Sequence, residues 1–529
     1  MNPLRIVSDM VEDVAKEAKE WFMGSTKTFN EMKDKIKTKI ETSKKLNFND
    51  IENDIAELGR EVMRSLCEEA LQESLDNIDL PDTIEDSDSN IRIFDQNTKK
   101  KLNTIFGEIS FERKNTRYRS KKGIVTHSVF PQENLLKLPK DSVSFALQKK
   151  IAYNAVNSTL DRLIPEIEKE TGSKLSKGKV ISILNESSAD FDAFYEKKWD
   201  ENLRQNLKDT DIIIATFDGK GIPMRRKKED LNDKELNNKD LNNEGSILSK
   251  KSVLKSHSNK KKMATVAAVY NIKEYPRTAI DFHHTLLGEL RKVDERPKPV
   301  EKKVWASLEK SAKEIIQEGF NEVDLRDPHK EKPLVILIDG AIYQKEQVIN
   351  NCKECKRNYT IIIDIIHAVE YIWKASRVLF PNDTGYQKEW SRVKQLELLE
   401  GKVAYIAQEI EVKAEKDKLE GDKLKIANTS KNYFLNNQDF MRYNQFLKLG
   451  YPIGSGVIEG TCRSIIGDRL EITGAHWTMT GAEAMLKLRS LVLNGDFDEY
   501  WSFHVNEESK KRNSKDFSKR YIYRKLKDM

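Results

Sequence analysis

Two uninterrupted apolar runs that each end on an aspartate stand out from a chain whose hydrophobic positions otherwise recur mainly at helical spacing. In DIIIATFDGKG, the residues Asp211 to Phe217 form a strand covered on both faces, and Asp218-Gly219 reads as the turn that ends it. In LVILIDGA, Leu334 to Ile338 is the strand and Asp339 precedes Gly340. A third apolar run, Thr360 to Ile363 in YTIIIDIIHAVEYIW, leads to Asp364 and His367. Between these runs, Met263 to Tyr270 reads as a second strand and the residues around Arg277 to Asp281 as a third. VEKKVWASLEKSAKEIIQEGF and the segment holding Cys352 and Cys355 read as helices. This order of strands and helices predicts an α/β fold, an RNase H-like mixed sheet flanked by helices. Asp218 and Asp339 then stand at neighbouring strand ends. Glu459, in IGSGVIEGTCR, follows a Gly-Ser-Gly turn at the opening of a helix.

The rest of the chain divides around this core. Residues 1–105 have apolar positions three and four apart and read as a helical N-terminal region, interrupted by the acidic stretch Asp82 to Ser89. Residues 106–205 read as a small basic β-hairpin followed by a helix-turn-helix-like pair. Arg117 and Arg119 lie along the hairpin, which suits a phosphate backbone or, equally, an edge strand kept soluble by its charges. Thr171-Gly172 ends one helix and Ser176 caps the next, with Lys174, Lys177 and Lys179 where a recognition helix meets DNA, although such helix pairs also occur in proteins that never touch it. The catalytic core is expected over 206–375, carrying a low-complexity insert at 228–260 that reads as disordered. A helical insertion follows at 376–450, then the last core element with Glu459 at 451–505 and a basic tail at 506–529.

Composition narrows this picture only a little. The 529 residues hold 92 basic and 86 acidic side chains, so the overall balance names no partner, while local basic clusters suit an anionic polymer. Four cysteines include the Cys352/Cys355 pair, which lacks a second pair to complete a four-ligand zinc site. No apolar run approaches the ~20 residues of a membrane span and no signal-peptide core precedes the first acids, so the expected location is cytoplasmic.

Three carboxylates gathered at one sheet edge repel one another unless cations lie between them, so Asp218, Asp339 and Glu459 together point to a divalent metal site. Singly, each has a plainer reading. The Asp-Gly pairs suit turns, and Glu459 suits the first turn of any helix.

FDGKGIPMR, LVILIDGA, IIIDIIHAVEYIWKA and the long block YPIGSGVIEGTCRSIIGDRLEITGAHWTMTGAEAMLKLRSLVLNGDFDEYWSFH resemble the ISKra-type insertion-sequence transposases, a branch of the DDE transposases. The resemblance runs from about Ile212 to His504, and more loosely over Phe106 to Asn185, where RYRSKKG lacks the cysteine pair such proteins often carry. It implies that Asp218, Asp339 and Glu459 bind two magnesium ions, for which manganese would substitute, and that Asp364 and His367 support them from behind. The implied activity is DNA cleavage and strand transfer at the ends of an insertion sequence, by a homo-oligomer on double-stranded DNA in the nucleoid. Arg463 and Arg469 are then expected to meet phosphates, and Trp477 to serve as a core anchor or a base-stacking platform. Two other functions fit the same residues: an RNase H-like nuclease or recombinase without strand transfer, and a catalytically inactive DNA-binding repressor.

Overall fold

A computed structural model describes residues 22–42, 47–118, 128–200, 212–225, 261–289, 296–354 and 357–517. Arg119, Cys355, the expected disordered insert and residues 518–529 lie outside them. The chain forms two units, Met1–Phe194 with Phe497–Met529, and Tyr195–Asp496.

In the first unit, helices α1 (Met23–Thr42) and α2 (Phe48–Asp76) pack together and lead into a three-stranded antiparallel sheet of β1 (Thr83–Glu85), β2 (Ile91–Thr104) and β3 (Gly107–Arg117). The helical expectation for 1–105 therefore stops at Asp76, and β3 pairs back onto β2 instead of forward into its own hairpin. The apolar signal on β2 is thin because its middle is lysine-rich. Leu102, with Ile109 and Phe111 of β3, nevertheless buries against Leu75 at the end of α2. Four helices follow, α3 (Pro131–Leu135), α4 (Phe145–Ala155), α5 (Leu160–Thr171) and α6 (Lys177–Glu186), and then α7 (Phe191–Asp200), whose residues from Tyr195 on belong to the second unit. As the sequence indicates, α5 ends on Gly172 at φ +74, and the Ser176 side chain accepts from the Lys179 amide to start α6.

Residues 506–516 of the expected basic tail 506–529 form the end of a helix, Phe497–Asp516, that belongs to this first unit. Its Arg512 donates to Glu133 and its buried His504 bonds Asp190 at 2.7 Å.

The second unit is built on a five-stranded sheet of β4 (Ile212–Pro223), β5 (Lys261–Ile272), β6 (Val300–Ser307), β7 (Leu334–Ile338) and β8 (Tyr359–Ile363), in the spatial order β6-β5-β4-β7-β8. β5 runs antiparallel to both of its neighbours, β4 and β6, whereas β4, β7 and β8 run parallel. Parallel strands buried on both faces need crossover helices, which α9 (Ala312–Arg326) and α10 (Ile342–Glu354) supply. The segment expected as the third strand forms a short helix, α8 (Ala279–Leu286), opened by a Thr278/Asp281 capping box. The strand itself lies in VEKKVWAS, where helix was expected. The helix begins only after the Ser311/Glu314 capping box.

Where α9 crosses β4, Gly319 leaves no room for a side chain, since a Cβ there would lie 2.7 Å from two ring carbons of the buried Phe217. Gly319→Ala is expected to destabilise this unit by about 1–3 kcal/mol through forced repacking. Urea unfolding with an unchanged midpoint would contradict that contact.

After β8 come α11 (Ile365–Leu379) and the helical insertion, α12 (Thr384–Leu399), α13 (Val403–Lys416), α14 (Gly421–Asn437) and α15 (Tyr443–Lys448). Their apolar faces, including Leu398, Ile406, Ile410 and Phe434, join the same core as the sheet. The chain then forms α16 (Gly456–Cys462), a π-helical stretch Arg463–Gly467 and α17 (Met479–Leu493), with the single turn Asp468–Leu470 between the last two.

Candidate metal centre at the sheet edge

β4 does not stop at Asp218. It continues to Pro223, hydrogen-bonded to β5 along its whole length, so Asp218-Gly219 is not a turn. What changes at Asp218 is the neighbour on the other side. β7 pairs with β4 only as far as Leu337, opposite Thr216. Carried two residues further, this parallel register places Asp339 beside Asp218. The pairing of Ile338 with Ile363 likewise places Asp364 beside Asp339, and the Asp364 amide donates to the Ile338 carbonyl at 2.8 Å. Three aspartates thus form a row across adjacent strands at the carboxyl edge of the sheet. Side chains in register across neighbouring strands share a face.

Asp218 accepts from the Gly219 amide at 2.6 Å and, through its other oxygen, from the Cys462 thiol at 3.3 Å. Burial, and then the Asp218 charge, push that thiol well above its ordinary range, so it stays protonated as a donor. Asp339 accepts from the Ala341 amide at 2.8 Å. Its second oxygen has no hydrogen-bond partner among the described residues, and none of Asp218, Asp339 and Glu459 there has a lysine or arginine partner. Lys220, the nearest cation along β4, pairs with Glu471.

Asp364 does different work. It is buried, caps α11 by accepting from the Ile366 amide at 2.6 Å, and accepts from the Ser455 amide at 2.9 Å. A further bond joins the Ile365 amide to the Ile453 carbonyl at 2.9 Å. The end of β8 thereby fixes the Gly-Ser-Gly turn, and Glu459 follows one turn later on α16, solvent-exposed. Burial raises the Asp364 carboxyl to about 6; the two amides and His367 oppose the rise, while Glu459 adds to it. Glu459 also acts on the Cys462 thiol beside Asp218, so the glutamate lies in the field of both ends of the aspartate row.

The raised Asp364 pKa has a definite sign. The folded state holds this proton more tightly than the unfolded chain, whose ordinary value is 3.8, so the contribution is present below about pH 4 and lost as pH rises through 6. At pH 7 without metal the ionised form costs on the order of 3 kcal/mol. Asp364→Asn gives up one of the two amide acceptors at every pH, and on top of that constant loss the wild type's advantage over it is expected to shrink as pH rises from 4 to 7 in chelator-containing buffer. A difference in unfolding free energy that stays constant with pH would contradict this assignment.

The expected nucleic-acid contacts are placed unevenly. Arg463 is exposed beside α16. Arg469 is buried, its guanidinium 4.9 Å from the Trp477 ring centroid, so it is not on a surface that phosphate can reach. Trp477 is anchored by its indole N–H to the Leu470 carbonyl at 3.0 Å and by a backbone bridge to Met224, which favours the anchoring role over a stacking platform. In the first unit, Arg117 pairs with Asp95 at 2.9 Å, Lys177 with Asp161 at 2.9 Å and Lys174 with Glu168 at 3.7 Å. Lys179 pairs with Asp141, and Lys174 sits in the turn before α6, not on the helix.

Sequence reading misses two other groupings. One is the pair Tyr433 and Tyr443, whose hydroxyls reach the ends of β7 and β8 from the helical insertion. The other is Asp190, His504 and Glu508 in the first unit, the one set of three or more histidine, cysteine or acidic side chains among the described residues whose ligand atoms lie within 4.8 Å of one another. The ammonium of Lys511 already sits there, 2.7 Å from Asp190 and 3.0 Å from Glu508. The carboxylate oxygens of Asp218, Asp339 and Glu459 do not all come within 4.8 Å of one another.

The second unit is therefore a mixed α/β domain with an acidic sheet edge. Residues 41–232 match the model of an uncharacterised protein family (UPF0236), a span that contains Asp218 and ends before Asp339 and Glu459. No curated protein matches the chain in sequence. Among solved structures, the chain is weakly similar to the Drosophila P element transposase strand transfer complex, at 9% identity and a TM-score of 0.28, over 66% of this chain and 92% of that one. A likeness of that size establishes no common fold.

Proposed function

We propose that the protein is a DDE transposase that cleaves DNA at the ends of an insertion sequence and joins those ends to target DNA. The observation that carries this reading is the strand register that lines up Asp218 and Asp339, with Glu459 presented to the same edge by α16. A sheet of three antiparallel strands followed by two parallel ones, with its acids at the parallel edge, supports an RNase H-like core.

The donor set fits magnesium. It offers hard carboxylate oxygens that have no cationic side chain among the described residues to neutralise them, and manganese accepts the same donors. Two such ions, when bound, supply the positive charge that activates an attacking water or DNA 3′-hydroxyl and offsets charge on the leaving oxygen. Asp218, at one end of the aspartate row, would hold such ions together with Asp339 and Glu459. Asp364 and His367 do not need to touch substrate. Asp364 holds the turn that aims Glu459, and His367 tempers the Asp364 charge. Exposed Arg463 would meet a phosphate near the reacting bond, and the first unit, with Arg117, Arg119, Lys174, Lys177 and Lys179, would hold flanking duplex. The partners are terminal inverted repeats and target DNA, engaged by a homo-oligomer in the nucleoid-containing cytoplasm. Among the described residues no helix is long and apolar enough to cross a membrane.

The test supplies purified protein and magnesium with DNA bearing the terminal repeats that flank its own reading frame, either intact or as pre-cut ends. Cleavage of the first and joining of the second to a target plasmid are expected. Cleavage without joining would favour a nuclease, and tight binding with neither reaction would favour a repressor.

A further inference from the structure

Two tyrosines of the helical insertion touch the main chain at the two strand ends that carry aspartates. The Tyr433 hydroxyl, on α14, donates to the carbonyl of Asp339 at 3.1 Å. The Tyr443 hydroxyl, at the start of α15, donates to the carbonyl of Ile363 at 2.8 Å, one residue before Asp364. The two contacts are 94 and 80 residues apart in sequence, so neither follows from local folding. The Tyr433 ring is itself held, stacked on Tyr371 of α11 with centroids 3.7 Å apart and planes 10° from parallel.

The Asp339 loop has reason to need a grip. Gly340 follows in the left-handed region at φ +85, a conformation reserved largely for glycine, and a Cβ there would lie 3.3 Å from the Tyr433 hydroxyl oxygen. The turn after Asp339 is buried between Ile363 and Tyr433, and the Tyr433 hydroxyl adds a bond to its carbonyl. Lys345, at the start of α10, adds a second tie by donating to the Asn437 side chain at the end of α14, at 2.8 Å. Buried hydroxyls that serve only to fill space are rare, because an unpaired one is costly and phenylalanine fills the same volume.

We infer that Tyr433 and Tyr443 are positioning residues through which the helical insertion sets the spacing of Asp339 and Asp364, and so the affinity of the sheet edge for divalent cations. The inference rests on the function proposed above. It makes the insertion part of the metal site's scaffold.

The test is manganese titration by calorimetry on the full-length protein, with thermal melting in parallel, for Tyr433→Phe, Tyr443→Phe and Asp339→Asn. Each phenylalanine keeps the ring and loses only the hydroxyl. Each is expected to weaken manganese binding about 3–10-fold, the equilibrium value of one hydrogen bond, with binding to Asp339→Asn reduced much further. If both phenylalanine variants bind manganese as wild type does while Asp339→Asn does not, the positioning role is overturned and the metal site stands. A lowered melting temperature with unchanged manganese affinity overturns it equally, since that is the mark of packing alone. Should Tyr443→Phe fail to fold, Tyr433→Phe decides. If Asp339→Asn binds manganese like wild type, the site itself is wrong and the inference falls with it.

Discussion

Asp339→Asn is expected to abolish most magnesium-dependent cleavage while leaving the protein as stable as wild type or slightly more so. Asparagine keeps the oxygen that accepts the Ala341 amide, so the turn after β7 survives. It removes one negative charge from a row that also holds Asp218 and Asp364, and like charges at short range favour their own neutralisation. Stability without metal therefore does not fall. The rate should fall about 10²–10³-fold or more, the scale of losing one electrostatic contact to the transition state, here that of the cation Asp339 would hold. Cleavage kinetics and a melting curve on the same preparation check both halves. A variant that loses activity because it unfolds would leave the role of Asp339 in the chemistry unsupported. One that cuts at the wild-type rate would remove it.

Glu133→Ala is expected to produce the largest loss of stability in the first unit. The Glu133 side chain is 1% exposed and accepts from Lys100 at 3.2 Å, from Arg512 at 2.8 Å and from Arg113. Against the cost of burial, these three cations hold its carboxyl below the usual glutamate range. Truncation leaves three partly or wholly buried positive groups around an empty place, and breaking a buried pair in this way costs about 3–5 kcal/mol. Glu133→Gln retains the acceptor but not the charge, and should fall between. The sign with pH follows from the lowered folded pKa: the stabilisation is present above the unfolded value of 4.5 and is lost as acid protonates Glu133 in the fold. Wild type should therefore lose its advantage over Glu133→Gln as pH falls below about 4. Urea unfolding across that range, followed by a probe in the first unit, measures both effects, and a Glu133→Ala midpoint equal to wild type would show the cluster to be energetically idle.

The parts of the second unit that sequence reveals are those whose signal is local and apolar. β7 and β8 are unbroken runs of buried residues with an acid at the end, and the Gly-Ser-Gly turn announces α16. β4 is half legible. Ile212 to Phe217 read as a strand, but Gly219, Lys220 and Gly221 carry no apolar pattern, and only pairing with β5 keeps them extended. β6 is mistaken for helix because Val300 and Val304 stand four apart, a spacing that strand and helix share over so short a stretch, and the capping box that marks the true helix start lies at Ser311. Arg469 reads as a surface cation but is buried on Trp477, a contact that depends on how the chain turns back after the π-helical stretch. The role of Asp364 is visible only once β8 and the 453–455 turn are seen side by side.

The most direct measurement is anomalous scattering from crystals soaked in manganese. The account requires two peaks about 3.5–4 Å apart at the carboxyl edge of the second unit's sheet, within coordination distance of Asp218, Asp339 and Glu459. Manganese bound at Asp190, His504 and Glu508 with none at the sheet edge would contradict it.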